Sequence, residues 1–513
     1  MIASPLGKIV IAGGGTAGWM AAAALSQVVD MNVTSIVLVE SEEIGTVGVG
    51  EATIPPIKSF NAMLGIDENE MLSATQGSFK LGIEFAGWGA VGESYIHPFG
   101  TYGREVAGIK FHQLWLKLKS EGLTAPYGDF CLSAMAAAGG KFDRPSADPH
   151  SPLSLIDYAF HFDARLYAAF LRSLAEGNGV TRVEGKIGAV EQRAEDGFIA
   201  ALALTDGRRI EGDFFLDCTG FRSLLLGQAL GSRFIDWSEW LPCDRAVAMP
   251  SVRLADLPPL TRATAHHCGW QWRIPLQHRT GNGLVYSSRL VSDDEAAHLL
   301  RSNIAGETFA DPLFIGFTPG RRDSAWIKNC VGLGLASGFL EPLESTSIHL
   351  VQSGLSKLIS LFPDATHPAN ERAEYNRLNA LQWDYIRDFV ILHYKVNRRG
   401  DSDLWRHCAA MDVPETLARK LSLFAGSGRM FRYDDELFTD PNWSAVMIGQ
   451  GLIPERYDPL ADALDPAALQ RLAKDITGLF GHIVPQMPTH AQYLARHCPG
   501  KPLQEAMEQP NHA

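Results

Sequence analysis

Two rhythms of apolar and polar positions run along this chain. KIVIAG (8–13) and SIVLVE (35–40) are short β-branched runs, and the alanine-rich stretch between them, from about Thr16 to Val28, has helical spacing. Together they predict a βαβ unit. Residues 92–155 are rich in glycine, proline and aromatics and weakly periodic, which predicts loops and short helices laid over the sheet. Helical spacing returns at 163–176 (DARLYAAFLRSLAE). GVTRVEGKIGAVEQ and FIAALALTDGRRIEGDFFLDCTG then alternate as antiparallel strands do and end in a buried strand at 214–218, so a β-meander is inserted in an α/β domain. A second long amphipathic helix begins near Ser345, with Ile348, Val351, Leu355, Leu358 and Phe362 three or four apart, and from Glu371 onward the pattern is mostly helical.

Composition narrows the class. With 513 residues, 46% hydrophobic and 20% charged, the chain can build two or three domains' worth of core. Lys and Arg number 45 against 58 Asp and Glu, a net charge of −13 without basic blocks, which disfavours nucleic acid and anionic membrane as partners and points to small molecules. The seven cysteines are scattered and never spaced as CxxC, which argues against a metal site or a secreted disulfide framework. The apolar start is too short and glycine-broken for a signal or a membrane span, and no later run is long enough to span a bilayer, so a cytoplasmic protein is expected.

GGGTAGW follows the first strand and opens the first helix, with Gly13, Gly15 and Gly18 in GxGxxG register. Gly13 permits the tight turn, Gly15 lets a pyrophosphate approach the backbone, and Gly18 lets the helix pack close to the sheet. Thr16 and Ala17 then offer N–H groups of the helix N-terminus to the phosphate. Glu40, 22 residues beyond Gly18, ends the next strand where an acid would bind a ribose hydroxyl. LDCTG (216–220), carrying Asp217 and Gly220, is a second strand ending in a small-residue turn, and it tilts the dinucleotide from NAD to FAD. GVGEATIPP (48–56) adds a loop with Glu51, Ala52 and Thr53 as cofactor-contacting candidates.

Taken together, GGGTAGW, GEATIP, SFKLGIEF, WQWRIP, EPLESTSI and LHYKVNRR resemble the flavin-dependent halogenases of the tryptophan halogenase family, over nearly the whole chain to MPTHAQYLARHC. The resemblance implies an α/β, FAD-binding GxGxxG monooxygenase-like fold with a mostly helical substrate-covering region. Residues 1–95, 151–230 and 325–365 would form a discontinuous FAD-binding α/β region, and residues 96–150, 231–324 and 366–513 the substrate-binding, mostly helical region. It also implies the chemistry: FAD reduced by a separate flavin reductase, oxygen and a halide, chloride or bromide, yield hypohalous acid, which passes through a tunnel to an electron-rich aromatic. By motif Lys80 delivers the halogen and Glu344 assists as base and electrostatic stabiliser. The halide falls on Thr346 and Ser347, at a helix N-terminus. Trp270, Trp272 and Pro275 would wall the flavin from the substrate, and His97, Phe99 and Trp443 would line the substrate pocket. No metal is implied, and the protein is expected as a monomer or homodimer.

The residues alone leave other readings open. In FKLGIEF, Lys80, Gly82 and Glu84 alternate with apolar neighbours, so Lys80 also reads as the wet face of a strand. The tryptophans of WQWRIP also read as strand core. Glu341 and Glu344 also read as acids complementing a helix dipole. A flavin-dependent aromatic hydroxylase would need its substrate against the flavin, and a non-catalytic FAD-fold binding protein would have no use for the lysine, the glutamate and the halide turn together. Residues 436–443 read ELFTDPNW, and FRYDDELFTDPNW holds only Arg432 to meet a carboxylate, so a bare indole is expected over free tryptophan.

Overall fold

The structure, a computed structural model, describes residues 4–43 and 50–503. Gly48 and Val49 of the GVGEATIPP loop lie outside the described residues. The first apolar run forms the strand Lys8–Ala12, flanked by Ser35–Glu40 and Phe214–Asp217 in a six-stranded sheet. Thr181–Glu184 extends that sheet on one side, and Cys330–Gly332 and Trp326–Ile327 on the other. Every pairing is parallel except the last, a hairpin. Strands buried on both faces need a continuous apolar run, and Ile9 to Ala12 supply one. Ile9 and Ile11 pack with the helices Thr16–Val28 and Ser347–Ser360, while Val10 and Ala12 pack with the meander Ile187–Gln192, Ile199–Leu204 and Arg209–Glu211.

TRVE (181–184) departs from the expected meander: it is the parallel edge strand beside Ser35–Glu40. An edge strand is only partly covered and alternates like an antiparallel one, so the pattern does not separate the two. Residues 231–324 also depart from the helical expectation, with Asp293–Ser302 their one α-helix. Most of a second sheet comes from here, in the order Leu313–Gly316, Arg245–Ala248, Arg279–Tyr286, Gly269–Pro275, Thr261–His266, Gly82–Ala86, Ser94–Pro98, with Ser251–Val252 paired to Arg279–Tyr286. Its central strands are covered on both faces, which erases the period-two signal. WQWRIP therefore lies inside a sheet and not at its edge. Beyond residue 366 the chain is helical as its pattern predicts, led by the 27-residue helix Ala369–Lys395.

A third, small sheet sets up the site. Ala159–Phe162 lies between Glu51–Ala52 and Ser78–Lys80. At Leu81 the chain leaves this sheet and enters the large one at Gly82–Ala86. Leu81 is pinned on both sides, its N–H donating to Pro259 O (2.7 Å) and its carbonyl accepting from Phe99 N (2.9 Å). Lys80 thus stands at a junction between two sheets.

Candidate active site

A large cleft opens at the C-terminal ends of the parallel strands, lined by Gly13 to Ala17, Glu40, Glu51, Ala52, Gly220 and Ser347 among others. The turn after the first strand requires glycine: Gly13 has φ +106°, and a Cβ there would sit 2.3 Å from Cys218 O. Gly15 is the N-cap of the Thr16–Val28 helix and provides no side-chain cap, while a Cβ on Gly15 would meet nothing within 4 Å. The helix therefore turns uncapped N–H groups to open space, a natural phosphate site. Gly18 lies beneath the cleft and lets the helix approach, a Cβ there falling 1.9 Å from Gly13 O. Glu40 reaches across the glycine loop and is held by Arg182 Nε at 2.5 Å. This uncapped helix, glycine turn and acid fit a dinucleotide such as FAD.

Other candidates act from behind the lining. Asp217 is buried, with Oδ2 accepting from Leu225 and Leu226 N–H (2.9 and 2.8 Å) and Oδ1 from Thr219, so it shapes the turn that carries Gly220. Thr53 is buried, its hydroxyl donating to Phe160 O (2.7 Å). Burial, and to a lesser degree the nearby Asp163, push the Glu51 carboxyl up to about 7.

Behind the cleft wall Lys80 and Glu344 lie in a closely packed cluster of buried side chains. Lys80 is 0% exposed; its Nζ donates to Thr53 O (3.0 Å) and Ser345 Oγ (2.8 Å) and stands 5.1 Å from the centre of the Phe99 ring. Burial lowers its amine to about 7, against the opposing pull of Glu344. The wet-face reading of Lys80 is thereby excluded. Glu344 is also 0% exposed. Both its oxygens lie 3.0 Å from His97 Nδ1, and Oε1 lies 2.7 Å from His393 Nε2. Burial alone would raise this carboxyl, but the His97 and His393 rings more than offset burial and hold it at about 2. The cluster thus pairs an amine lowered to about 7 with a carboxylate held well below its ordinary range.

Ser345 links the cleft to the buried pair: it lines the cleft and bonds Lys80, in a left-handed conformation (φ +58°) that lets the chain turn between Glu344 and the Ser347–Ser360 helix. Ser347 lines the cleft, whereas Thr346 is buried at the helix N-cap without a side-chain cap bond. Of the proposed wall, Trp272 faces the cleft. Trp270 packs 6.2 Å from Trp272 and donates to Glu341 Oε2 (2.5 Å), while the Pro275 carbonyl accepts from Ser78 Oγ (2.6 Å). Phe389 stacks on Phe438 at 3.7 Å and meets Trp443 edge-on at 5.0 Å, and His97 lies 5.7 Å from Phe389. Trp443 Nε1 is buried without a hydrogen-bond partner among the described residues.

Sequence reasoning assigned no role to Ser345, His393, Phe389, Phe438 or Arg182. His393 stands inside the LHYKVNRR motif, Ser345 inside EPLESTSI and Phe438 inside ELFTDPNW, the available signals; Phe389 and Arg182 have none, because their roles arise from contacts across long stretches of chain.

The comparisons agree with this geometry. The family model for tryptophan halogenases matches residues 8–466. BrvH, a flavin-dependent halogenase from Brevundimonas sp. BAL3, is 48% identical, with a TM-score of 0.93 over 96% of this chain and 99% of that one. Xcc4156, a flavin-dependent halogenase from Xanthomonas campestris, is also 48% identical, with a TM-score of 0.93 over 98% of this chain and 99% of that one. Tryptophan 6-halogenase SttH from Streptomyces toxytricini is 35% identical over 95% of this chain and 98% of its own length.

Proposed function

The chain belongs to the tryptophan halogenase family and is a flavin-dependent halogenase, an oxidoreductase using FAD and halide on an aromatic ring, and we propose that its substrate is indole or a small uncharged indole, halogenated through Lys80 and Glu344. The observation that carries the proposal is the buried pair behind the cleft: a lysine amine lowered to about 7 and an ionised carboxylate, set among the rings of His97, Phe99, Phe389, Phe438 and Trp443.

Reduced FAD in the cleft, supplied by a separate reductase, provides the oxidising chemistry that turns oxygen and halide into hypohalous acid. Trp272 keeps the aromatic ring out of the cleft, and the path past Ser345 and Ser347 leads to Lys80. Held by Lys80, hypohalous acid gives its halogen to the most electron-rich ring carbon. The halogen–oxygen bond breaks, and the departing hydroxide leaves as water with a proton from Lys80. Glu344 stabilises the cationic ring and takes the proton from the halogenated carbon, whose C–H electrons restore aromaticity.

The preference for an uncharged indole rests on the strap at 430–443. Burying a zwitterion without partners costs several kcal/mol per charge. Glu436 already accepts from Lys420 Nζ (3.0 Å) and Tyr433 N (2.8 Å). Arg432 donates to Glu436 O (2.9 Å), and Asp434 and Asp435 are exposed. The strap's inward charges are satisfied internally, and Phe438 turns a ring inward onto Phe389. Mass spectrometry of products from indole and from tryptophan tests the reading, and a clear preference for tryptophan with single-site benzo-ring halogenation would refute it.

A further inference from the structure

We propose that Asn442 is a positioning residue that fixes the proton of His97 on Nδ1, so that a neutral imidazole always faces Glu344; the consequence for turnover rests on the role proposed for Glu344 above. The argument starts from a backbone N–H, which can only donate. Thr439 N donates to Asn442 Oδ1 (2.8 Å), and the Thr439 hydroxyl shares that oxygen at 3.0 Å. This capping box at the start of the Asp440–Gly449 helix leaves the Asn442 amide one orientation, with its NH₂ facing away from Thr439. Asn442 Nδ2 then lies 2.9 Å from His97 Nε2. An NH₂ has no lone pair, so Nε2 must accept and the ring proton must be on Nδ1. That proton points at Glu344, 3.0 Å away.

Protonating His97 would set Nε2–H against Asn442 NH₂. Asn442 therefore opposes the imidazolium that an adjacent carboxylate would otherwise favour. The other titratable groups around the ring are His393, reached through Glu344 at 2.7 Å, Lys80 and Tyr95, whose charges act on or feel Glu344, and Asp440 on the same helix as Asn442. With the ring neutral, Glu344 meets a hydrogen-bond donor on that side instead of a charge, so it keeps more of its basicity toward the ring proton of the substrate than the value of about 2 that it has beside charged rings.

The test reads His97 directly, by ¹H–¹⁵N correlation of ring-labelled histidine in the protein without substrate, with His97 assigned by its loss in His97→Gln. The wild type should show the ring proton on Nδ1, with Nε2 as the acceptor of Asn442. Asn442→Asp offers Nε2 an acceptor, so imidazolium should persist about one unit or more higher. In that variant kcat should fall about tenfold near pH 6 and recover at high pH, with KM changed less than kcat. Asn442→Ala removes the NH₂ that holds Nε2 as an acceptor and should shift the titration in the same direction by less, which keeps the test open should Asn442→Asp fail to fold. A wild-type proton on Nε2, a charged ring at neutral pH, or an unshifted titration in both variants would overturn the proposal. Because the resonance needs no turnover, a correct His97 signature without halogenated product would instead count against the proposed function.

Discussion

Lys80 is fully buried, and its amine is lowered to about 7. A base with a depressed folded pKa releases its proton on folding, so its unfolded form binds more protons between about pH 7 and about pH 10, and stability rises with pH across that window. Lys80→Met should abolish halogenation and remove this slope, so that the wild type gains thermal stability relative to the variant as pH rises. Parallel melting temperatures across the window would show that the amine is solvated. For Glu344 the sign is opposite: a carboxyl held at about 2 by the two histidines contributes stability above its unfolded pKa, lost as pH falls toward 2. Glu344→Gln should retain the fold at neutral pH, lose that acid-limb dependence and lower turnover by about 100-fold or more. Single-turnover measurement of ring halogenation checks this, and an unchanged rate would leave Glu344 a structural acid.

At the scale of elements, the partition depends on two neighbouring strands. Trp272 pairs with Gly283, and a Cβ on Gly283 would fall 2.0 Å from the Trp272 ring. The indole lies flat on a strand that makes room for it by having no side chain there. Gly283→Val should push Trp272 off this seat and uncouple the enzyme, with oxygen consumption continuing while halogenated product falls; product and oxygen measured together would show an unchanged ratio if Trp272 has no such role. What the sequence reveals follows from the same geometry. The strands Lys8–Ala12, Ser35–Glu40 and Phe214–Asp217 and the helices Thr16–Val28 and Ser347–Ser360 were legible, because the strands are short apolar runs, the helices have helical spacing and the glycine fingerprint marks the first turn, whereas the parallel strands Thr181–Glu184 and Cys330–Gly332 were not. The junction at Leu81 was not, since FKLGIEF keeps one alternation while the chain passes between sheets. Nor was the link from Asn442 to Glu344, separated by about a hundred residues and made through a ring on a third segment, His97.

Across the whole molecule, one cleft carries the dinucleotide turn among the described residues, and Lys80 and Glu344 lie buried behind its lining rather than in it. The isolated protein should therefore not oxidise NADH at an enzymatic rate and should gain turnover when a flavin reductase is added. Rapid, substrate-stimulated NAD(P)H consumption by the protein alone would favour a hydroxylase. The central claim is that a buried lysine delivers halogen to an uncharged indole beside a strap whose inward charges are already satisfied. Its most direct test is mass spectrometry of indole and of tryptophan after incubation with the wild type and Lys80→Ala, each with reduced FAD, oxygen and bromide, and with methionine added to consume any hypohalous acid that escapes. The account predicts the bromine isotope doublet on indole, formed faster than on tryptophan by the wild type, and absent with Lys80→Ala although FAD still binds. Faster bromination of tryptophan, or brominated indole from Lys80→Ala under scavenging, would contradict it.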